Sequence, residues 1–77
     1  MKVYVAVIVR FSPEGRLKPL SLEWEDGRVF IIDRITDISR APAVKAGGTG
    51  WRYTIYIEGR QTYLFFDEGR WFVERRE

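Results

Sequence analysis

Most of the 77-residue chain consists of short segments in which apolar and polar side chains alternate. An alternation with a period of two is typical of β-strands that lie half-buried in a sheet. The pattern therefore predicts an all-β protein with six antiparallel strands. These strands cover residues 2–11, 17–25, 28–38, 51–57, 62–67 and 70–75.

Four short motifs punctuate these segments: an acidic residue, a glycine and an arginine follow one another at 14–16, 26–28, 58–60 and 68–70. Glycine accepts a positive φ at no steric cost, and an acidic residue before it suits a tight turn. The motifs predict hairpin turns between neighbouring antiparallel strands. For the last two motifs we expect two-residue loops, at 58–59 and 68–69.

The hairpin at Asp26-Gly27 has two possible registers. A two-residue loop pairs Trp24 with Val29, whereas a bulged three-residue loop pairs Trp24 with Arg28. The bulged loop would turn the side chains of residues 30 and 32 inward. Because Ile31 is as apolar as its neighbours, the sequence leaves both registers open.

Two further features concern single strands. Pro19 predicts that the second strand begins at a sheet edge, because proline cannot donate to a β-ladder. A bulge near Arg34 would bring Ile35 and Ile38 onto a common face of the third strand.

A meander of six strands in so few residues should curl, because an open sheet would leave its edges unpaired. We expect a small barrel or roll, SH3-like or similar. The length predicts one domain over residues 1–77.

The last three strands place aromatic residues on both sides of the sheet. With two-residue loops, directly opposed residues share a face. One face is a predicted core and collects Trp51, Tyr53, Ile55, Leu64, Phe66, Trp71 and Val73. The other face collects Arg52, Thr54, Tyr56, Tyr63, Phe65, Phe72 and Glu74, with Arg70 and Arg76 at its margins.

Aromatic rings bordered by arginine on a sheet are typical of proteins that bind single-stranded nucleic acid. This hypothesis names as binding residues Arg40, Lys45, Arg52, Tyr56, Tyr63, Phe65 and Phe72. Two alternatives stay open. The second face is a further core layer, covered by the barrel or by residues 41–50, or it binds a protein partner or a second copy of the chain.

Composition argues against an enzyme. The chain has no histidine and no cysteine, which removes the commonest general base, the thiol nucleophile and the usual zinc ligands. We therefore predict a non-catalytic binding module without cofactor or metal. The glycine-rich segment 47–50 lacks the following lysine and helix of a phosphate-binding loop, although Lys45 and Arg52 would be the contributors to any anion site there.

Charge and hydropathy set the expected surroundings. The formal net charge is +2, which is close to balanced. A protein that binds nucleic acid by electrostatics alone normally carries a larger positive charge. No segment has the length of apolar residues that a membrane span needs, and a small chain without disulfides is typical of the cytoplasm. We expect a cytoplasmic protein that does not bind membranes, with an oligomeric state that the sequence leaves undetermined.

The segment 24–32 (WEDGRVFII), followed by 51–53 (WRY), 62–64 (TYL) and 70–73 (RWFV), resembles a small bacterial all-β domain. That domain is found alone and as C-terminal appendages of proteins similar to Y-family DNA polymerases. The resemblance covers residues 20–75. It implies no catalytic residues, and the association with lesion-bypass proteins favours nucleic-acid binding by analogy.

Overall fold

The computed structural model describes residues 1–41 and 50–75, which contain eight strands in two antiparallel sheets. The strands are β1 (Lys2–Tyr4), β2 (Ala6–Phe11), β3 (Leu17–Glu23), β4 (Val29–Ile31), β5 (Arg34–Arg40), β6 (Trp51–Ile57), β7 (Arg60–Asp67) and β8 (Arg70–Glu74). One sheet has five strands in the order β1-β8-β7-β6-β5, and the other has three in the order β2-β3-β4. The prediction of an all-β fold is confirmed.

Two of the six predicted strands bend and contribute to both sheets. The first divides at Val5, whose N–H still donates to the carbonyl of Trp71 at 3.1 Å in the five-stranded sheet. The third divides after β4: the N–H of Ile32 donates within the three-stranded sheet, and that of Asp33 donates to Tyr56 O at 2.8 Å in the other. The chain thus passes from sheet to sheet at two corners without an intervening loop.

The prediction of six strands closed into a barrel is wrong. Among the described residues there are eight strands and no closed barrel. Because the two long segments bend sharply, each hydrogen-bonded ladder ends at a corner instead of continuing around a barrel. The bend also frees β1 to pair with β8, so that Val3 lies opposite Val73.

The two hairpins of the three-stranded sheet have bulged three-residue loops. In the β3–β4 hairpin the N–H of Trp24 donates to Arg28 O at 2.8 Å, and Gly27 has a φ of 90°. The β2–β3 hairpin repeats this pattern between Ser12 and Arg16. Of the two registers that the sequence leaves open at Asp26-Gly27, the structure therefore adopts the bulged one.

The two hairpins of the five-stranded sheet have two-residue loops, as predicted. Glu58 and Gly59 have φ values of 52° and 78°, and Glu68 and Gly69 have values of 51° and 75°. Two consecutive positive φ angles are the signature of the type I′ turn, whose twist matches that of the flanking strands. The acidic residue of each pair adopts a conformation that glycine or asparagine takes more readily.

A bulge on β5 sets the inward face of that strand. The register shifts between Ile35 and Asp37, so that Ile35 opposes Ile55 and Ile38 opposes Tyr53. The predicted common face of Ile35 and Ile38 is confirmed.

A second register shift explains the proline in β3. Ile8 opposes Ser21 and Val9 opposes Pro19, which leaves Leu20 as the extra residue. β3 is the central strand of its sheet, so the prediction that Pro19 marks an edge is wrong. The proline is tolerated because it lies at a bulge, where the regular ladder is interrupted.

The core lies between the two sheets. Ile55 and Leu64 of the five-stranded sheet have no exposed surface, and they cluster with Tyr53 and with Leu22 of the three-stranded sheet. Burial raises the pKa of the Tyr53 phenol. Val7 and Phe30, which flank Leu22 in register, pack against this cluster. The three-stranded sheet therefore covers one side of the five-stranded sheet, and no described strand covers the other side.

Candidate functional site

The outer side of the five-stranded sheet carries an unusual set of side chains, which we call the aromatic face. Cross-strand pairing brings together five aromatic residues: Tyr4, Tyr56, Tyr63, Phe65 and Phe72. The three-stranded sheet packs on the opposite side, so no described strand lies over this face.

One row of rings crosses three strands of this face. Phe65 and Phe72 stack with ring centroids 5.2 Å apart and an interplanar angle of 9°, and Tyr4 meets the Phe72 ring edge-on at 5.7 Å. Phe72 is 6% exposed, whereas Tyr4 is 45% exposed. The row continues onto β6, because Arg52 lies opposite Phe65. Phe72 therefore supports its neighbours, which present the accessible ring surface.

A second row holds two tyrosines through a shared glutamine. The Tyr56 hydroxyl donates to Gln61 Oε1 at 3.1 Å, and Gln61 Nε2 donates to the Tyr63 hydroxyl at 3.5 Å. Tyr63 is 40% exposed. These hydrogen bonds limit the orientations of both rings, so a ligand that stacks on them meets a partly ordered surface.

Each of four rings on the aromatic face has a cation above it. The Arg70 guanidinium lies 3.6 Å from the Tyr4 ring centroid, Arg34 lies 4.4 Å from Tyr56 and Arg52 lies 4.6 Å from Tyr63. Lys2 Nζ lies 4.7 Å from the centroid of Phe72. Cation–π attraction of this kind contributes about 0.5–1 kcal/mol at exposed sites. The rings thus hold positive charge in place at regular positions across the sheet.

Arg52 is the central cation of the face. Its side chain is half-buried, and its Nε has no hydrogen-bond partner among the described residues. A desolvated donor of this kind gains more from an incoming acceptor than a donor in water does. Because Arg52 lies between the Ser39 and Phe65 positions, at the centre of the face, its guanidinium is a candidate for binding an anion there.

Carboxylates temper the charge of the aromatic face. Pairing places Asp37 opposite Thr54 and Glu74 opposite Lys2, and Asp67 opposes Arg70 at the turn. The face is therefore close to neutral. Any attraction for phosphate has to come from the position of individual guanidinium groups and not from a strong net field.

The structure brings together five of the seven predicted site residues. Arg52, Tyr56, Tyr63, Phe65 and Phe72 all lie on the aromatic face. The structure does not bring Arg40 there. Arg40 opposes Trp51 on the inward side of the sheet, and its guanidinium lies 4.9 Å from a Trp51 ring centroid. Lys45 and most of the glycine-rich segment lie outside the described residues.

Sequence reasoning missed three residues of this face: Lys2, Tyr4 and Arg34. Tyr4 has the opposite parity to Val3, so its side chain lies on the other side of its strand from Val3. What the pattern lacked was the pairing of β1 with β8, which joins the two ends of the chain and brings Tyr4 beside Phe72. Arg34 reaches the face because it lies opposite Tyr56, before the β5 bulge.

The described part of the chain has neither of two features that mark other classes of protein. There, no group of three or more acidic side chains could hold a metal ion, and no helix could span a membrane. Comparison of the chain with protein-family models, with curated proteins and with solved structures finds no match.

Proposed function

We propose that this chain binds single-stranded nucleic acid on the aromatic face. The observation that carries the proposal is the alternation of accessible rings and guanidinium groups across one sheet face. Bases stack on aromatic side chains and on guanidinium planes, and arginines also bind phosphate oxygens.

The spacing of the rings fits a strand laid across the sheet. Neighbouring β-strands are about 4.8 Å apart, so rings on adjacent strands can support successive bases that have been partly splayed. Tyr4 and Tyr63 present the most accessible ring surface; the strand that carries Phe72 lies between theirs, and Arg52 lies on β6, beyond Tyr63. In this arrangement Tyr4 and Tyr63 stack with bases, and Arg52 and Arg70 bind phosphates.

A protein partner or second copy on the same face is the competing hypothesis. An apolar protein interface would have to bury Arg34, which lies over Tyr56, and Arg52, which lies over Tyr63. Removing such charges from water without matched acidic partners is costly. Nucleic acid supplies both the matching anions and flat apolar surfaces, and the cations therefore favour it.

The test is titration of fluorescent single-stranded DNA and RNA oligonucleotides into the full chain at two salt concentrations. We expect binding that weakens as salt is raised, because phosphate binding releases counterions. Tyr63→Ala should weaken binding by about 1–3 kcal/mol, roughly 5- to 150-fold, through the loss of one stacking platform. Tyr63→Phe, which keeps the ring, should retain most of the affinity.

Two controls make this test specific. Phe11→Ala truncates an aromatic ring that is 69% exposed and lies away from the aromatic face, so it should leave the affinity unchanged. Arg52→Gln should lower affinity for all sequences alike and reduce the dependence on salt, because it removes about one phosphate contact. Absence of binding up to about millimolar concentration, or equal losses with Phe11→Ala and Tyr63→Ala, would refute the proposal.

A further inference from the structure

The outer side of the three-stranded sheet forms a second exposed face, which we call the aliphatic face. Its two cross-strand rows are Ala6–Glu23–Val29 and Ile8–Ser21–Ile31. Ile8 and Ile31 are each 64% exposed, and Val29 is 59% exposed. Large aliphatic side chains with this much exposure, on the two outer strands of one small sheet, are typical of interaction surfaces.

The centre of the aliphatic face is closed to water although its rim is open. Ser21 is 6% exposed, and its two cross-strand neighbours are Ile8 and Ile31. Side chains directly opposed across antiparallel strands lie about 4.5–5.5 Å apart at Cβ, so the two isoleucines flank the serine on both sides. The Ile8–Ser21–Ile31 row therefore presents a nearly continuous apolar surface three strands wide.

The two ends of this face carry opposite charges. At one end, Glu23 lies in the Ala6–Glu23–Val29 row. Two residues beyond Ile8, at the other end, Arg10 and Lys18 oppose each other. All three charged side chains are exposed.

We propose that the aliphatic face binds the same face of a second copy of this chain. Consider a two-fold axis that lies in the interface, perpendicular to the strands and near the Ile8–Ser21–Ile31 row. This symmetry stacks the apolar rows of the two copies and places Glu23 of each copy over Arg10 and Lys18 of the other. The face is thus complementary to itself, because its apolar row meets the same row of the other copy and each charged end meets the end of opposite charge. An isologous dimer requires this self-complementarity.

The size of the face fixes the expected strength of this dimer. Three strands, with about five residues along β2 and β3 and three along β4, give a patch of at most roughly 15 Å by 17 Å, from strand spacings of about 4.8 Å and a rise of about 3.3 Å. This is smaller than the roughly 800 Å² per partner of a standard stable interface. The dimer should therefore be reversible, with a dissociation constant of about 10 µM to 1 mM.

Sedimentation velocity of the full chain over about 10 µM to 2 mM tests the proposal. We expect the weight-average sedimentation coefficient to rise towards that of a dimer as concentration increases. Ile8→Lys and Ile31→Lys should each keep the chain monomeric over the same range. Phe11→Lys adds the same charge at an equally exposed apolar site outside the face and should dimerise like the parent chain. Circular dichroism confirms that each variant is folded.

A charge-exchange experiment tests the predicted orientation of the two copies. The Glu23→Lys variant and the Arg10→Glu, Lys18→Glu double variant should each dimerise at least tenfold more weakly than the parent chain. An equimolar mixture should recover dimerisation, because each Glu23 position then again faces groups of opposite charge. A third measurement at high salt should reduce this recovery.

Three results would overturn the proposal: a parent chain that stays monomeric up to 2 mM, a dimer that survives Ile8→Lys and Ile31→Lys, and a mixture that does not recover. The proposal does not depend on nucleic-acid binding, because the aliphatic and aromatic faces lie on opposite sheets. Ile31→Lys should leave the aromatic face intact, so the two proposals can fail independently. If both hold, the dimer carries its two aromatic faces on its outer sides.

Discussion

The two sheets of this molecule use the same alternation of side chains but present outer faces of opposite chemistry. The outer face of the five-stranded sheet holds aromatic rings with cations above them, as with Arg52 over Tyr63. The outer face of the three-stranded sheet holds aliphatic side chains, with charges at its two ends. Alternation determines which side chains face outward, but the types of those side chains determine which kind of partner each sheet can bind.

The sheets also differ in how firmly their inner faces and turns are built. Two large side chains without exposed surface, Ile55 and Leu64, belong to the five-stranded sheet, whereas the three-stranded sheet contributes the fully buried Pro19. The hairpins β6–β7 and β7–β8 are closed by two-residue turns, and the bulge of this sheet lies on its edge strand β5. The three-stranded sheet has bulged loops and a bulge at Leu20 within its central strand. We infer that the five-stranded sheet provides most of the stability and the three-stranded sheet covers its core.

The largest expected effect follows from this difference. Leu64→Ala removes a side chain with no exposed surface and should lower the free energy of unfolding by about 2–5 kcal/mol. Leu20→Ala is the matched control, since it makes the same chemical change in the other sheet at a residue that is 39% exposed. Its cost should be about 1 kcal/mol or less.

Urea unfolding of both variants measures the two free energies under identical conditions. Equal losses would mean that burial does not determine the cost of truncation. A larger loss for Leu20→Ala would place the more important packing contacts in the three-stranded sheet.

A smaller effect of opposite sign is expected at the two-residue turns. Glu58 adopts a φ of 52°, a conformation in which asparagine is several-fold more frequent than most residues. Glu58→Asn should therefore stabilise the chain by about 0.5–1 kcal/mol. The hydrogen bond from the Glu58 backbone N–H to Asp33 Oδ2, at 2.9 Å, does not depend on the Glu58 side chain and should persist.

The matched control for this change lies in the other sheet. Glu14 occupies the corresponding position of an acidic-Gly-Arg motif, but its φ is not positive. Glu14→Asn should leave the thermal midpoint unchanged, whereas Glu58→Asn should raise it. Equal gains at both positions would show that the benefit has nothing to do with backbone conformation.

Local features of this fold were predictable because they depend on neighbouring residues. The acidic-Gly-Arg motifs predicted the hairpins, and parity correctly assigned Tyr53 and Tyr63 to opposite faces. The closed barrel was a wrong prediction because it depends on where long strands bend. The bend at Val5 falls inside a continuous apolar run, and the bend after Ile32 falls where an apolar run ends at Asp33; in neither place does alternation give a sign of a corner.

The candidate site was predictable to the extent that it is confined to consecutive strands. Five of its residues come from β6, β7 and β8, which are joined by short turns of known register. Tyr4 and Lys2 come from the other end of the chain, and a pairing between distant segments has no signature in a single sequence. Arg40 was placed near the site by charge alone, and the parity of β5 turns it to the other side.

The smallest expected effect concerns pH and belongs to the three-stranded sheet. The Asp26 carboxylate accepts hydrogen bonds from the Arg28 N–H at 3.0 Å and from Arg28 Nε at 2.9 Å. The backbone hydrogen bond, with the nearby guanidinium, lowers the pKa of Asp26.

A lowered pKa in the folded chain means that ionised Asp26 stabilises the fold above the ordinary aspartate pKa of 3.8. This contribution should be lost as the pH falls below that value and through the lowered pKa. Asp26→Asn keeps an oxygen acceptor for the Arg28 N–H but has no charge to lose. Urea unfolding between neutral and acidic pH should therefore show a decline in the parent chain that is shallower in the variant. Among the described residues the Glu58 carboxylate accepts no hydrogen bond, and the carboxylate that binds this turn belongs to Asp33, so Glu58→Gln should not flatten the profile. An equal flattening by Glu58→Gln would mean that the acid sensitivity is not specific to the turn of the three-stranded sheet.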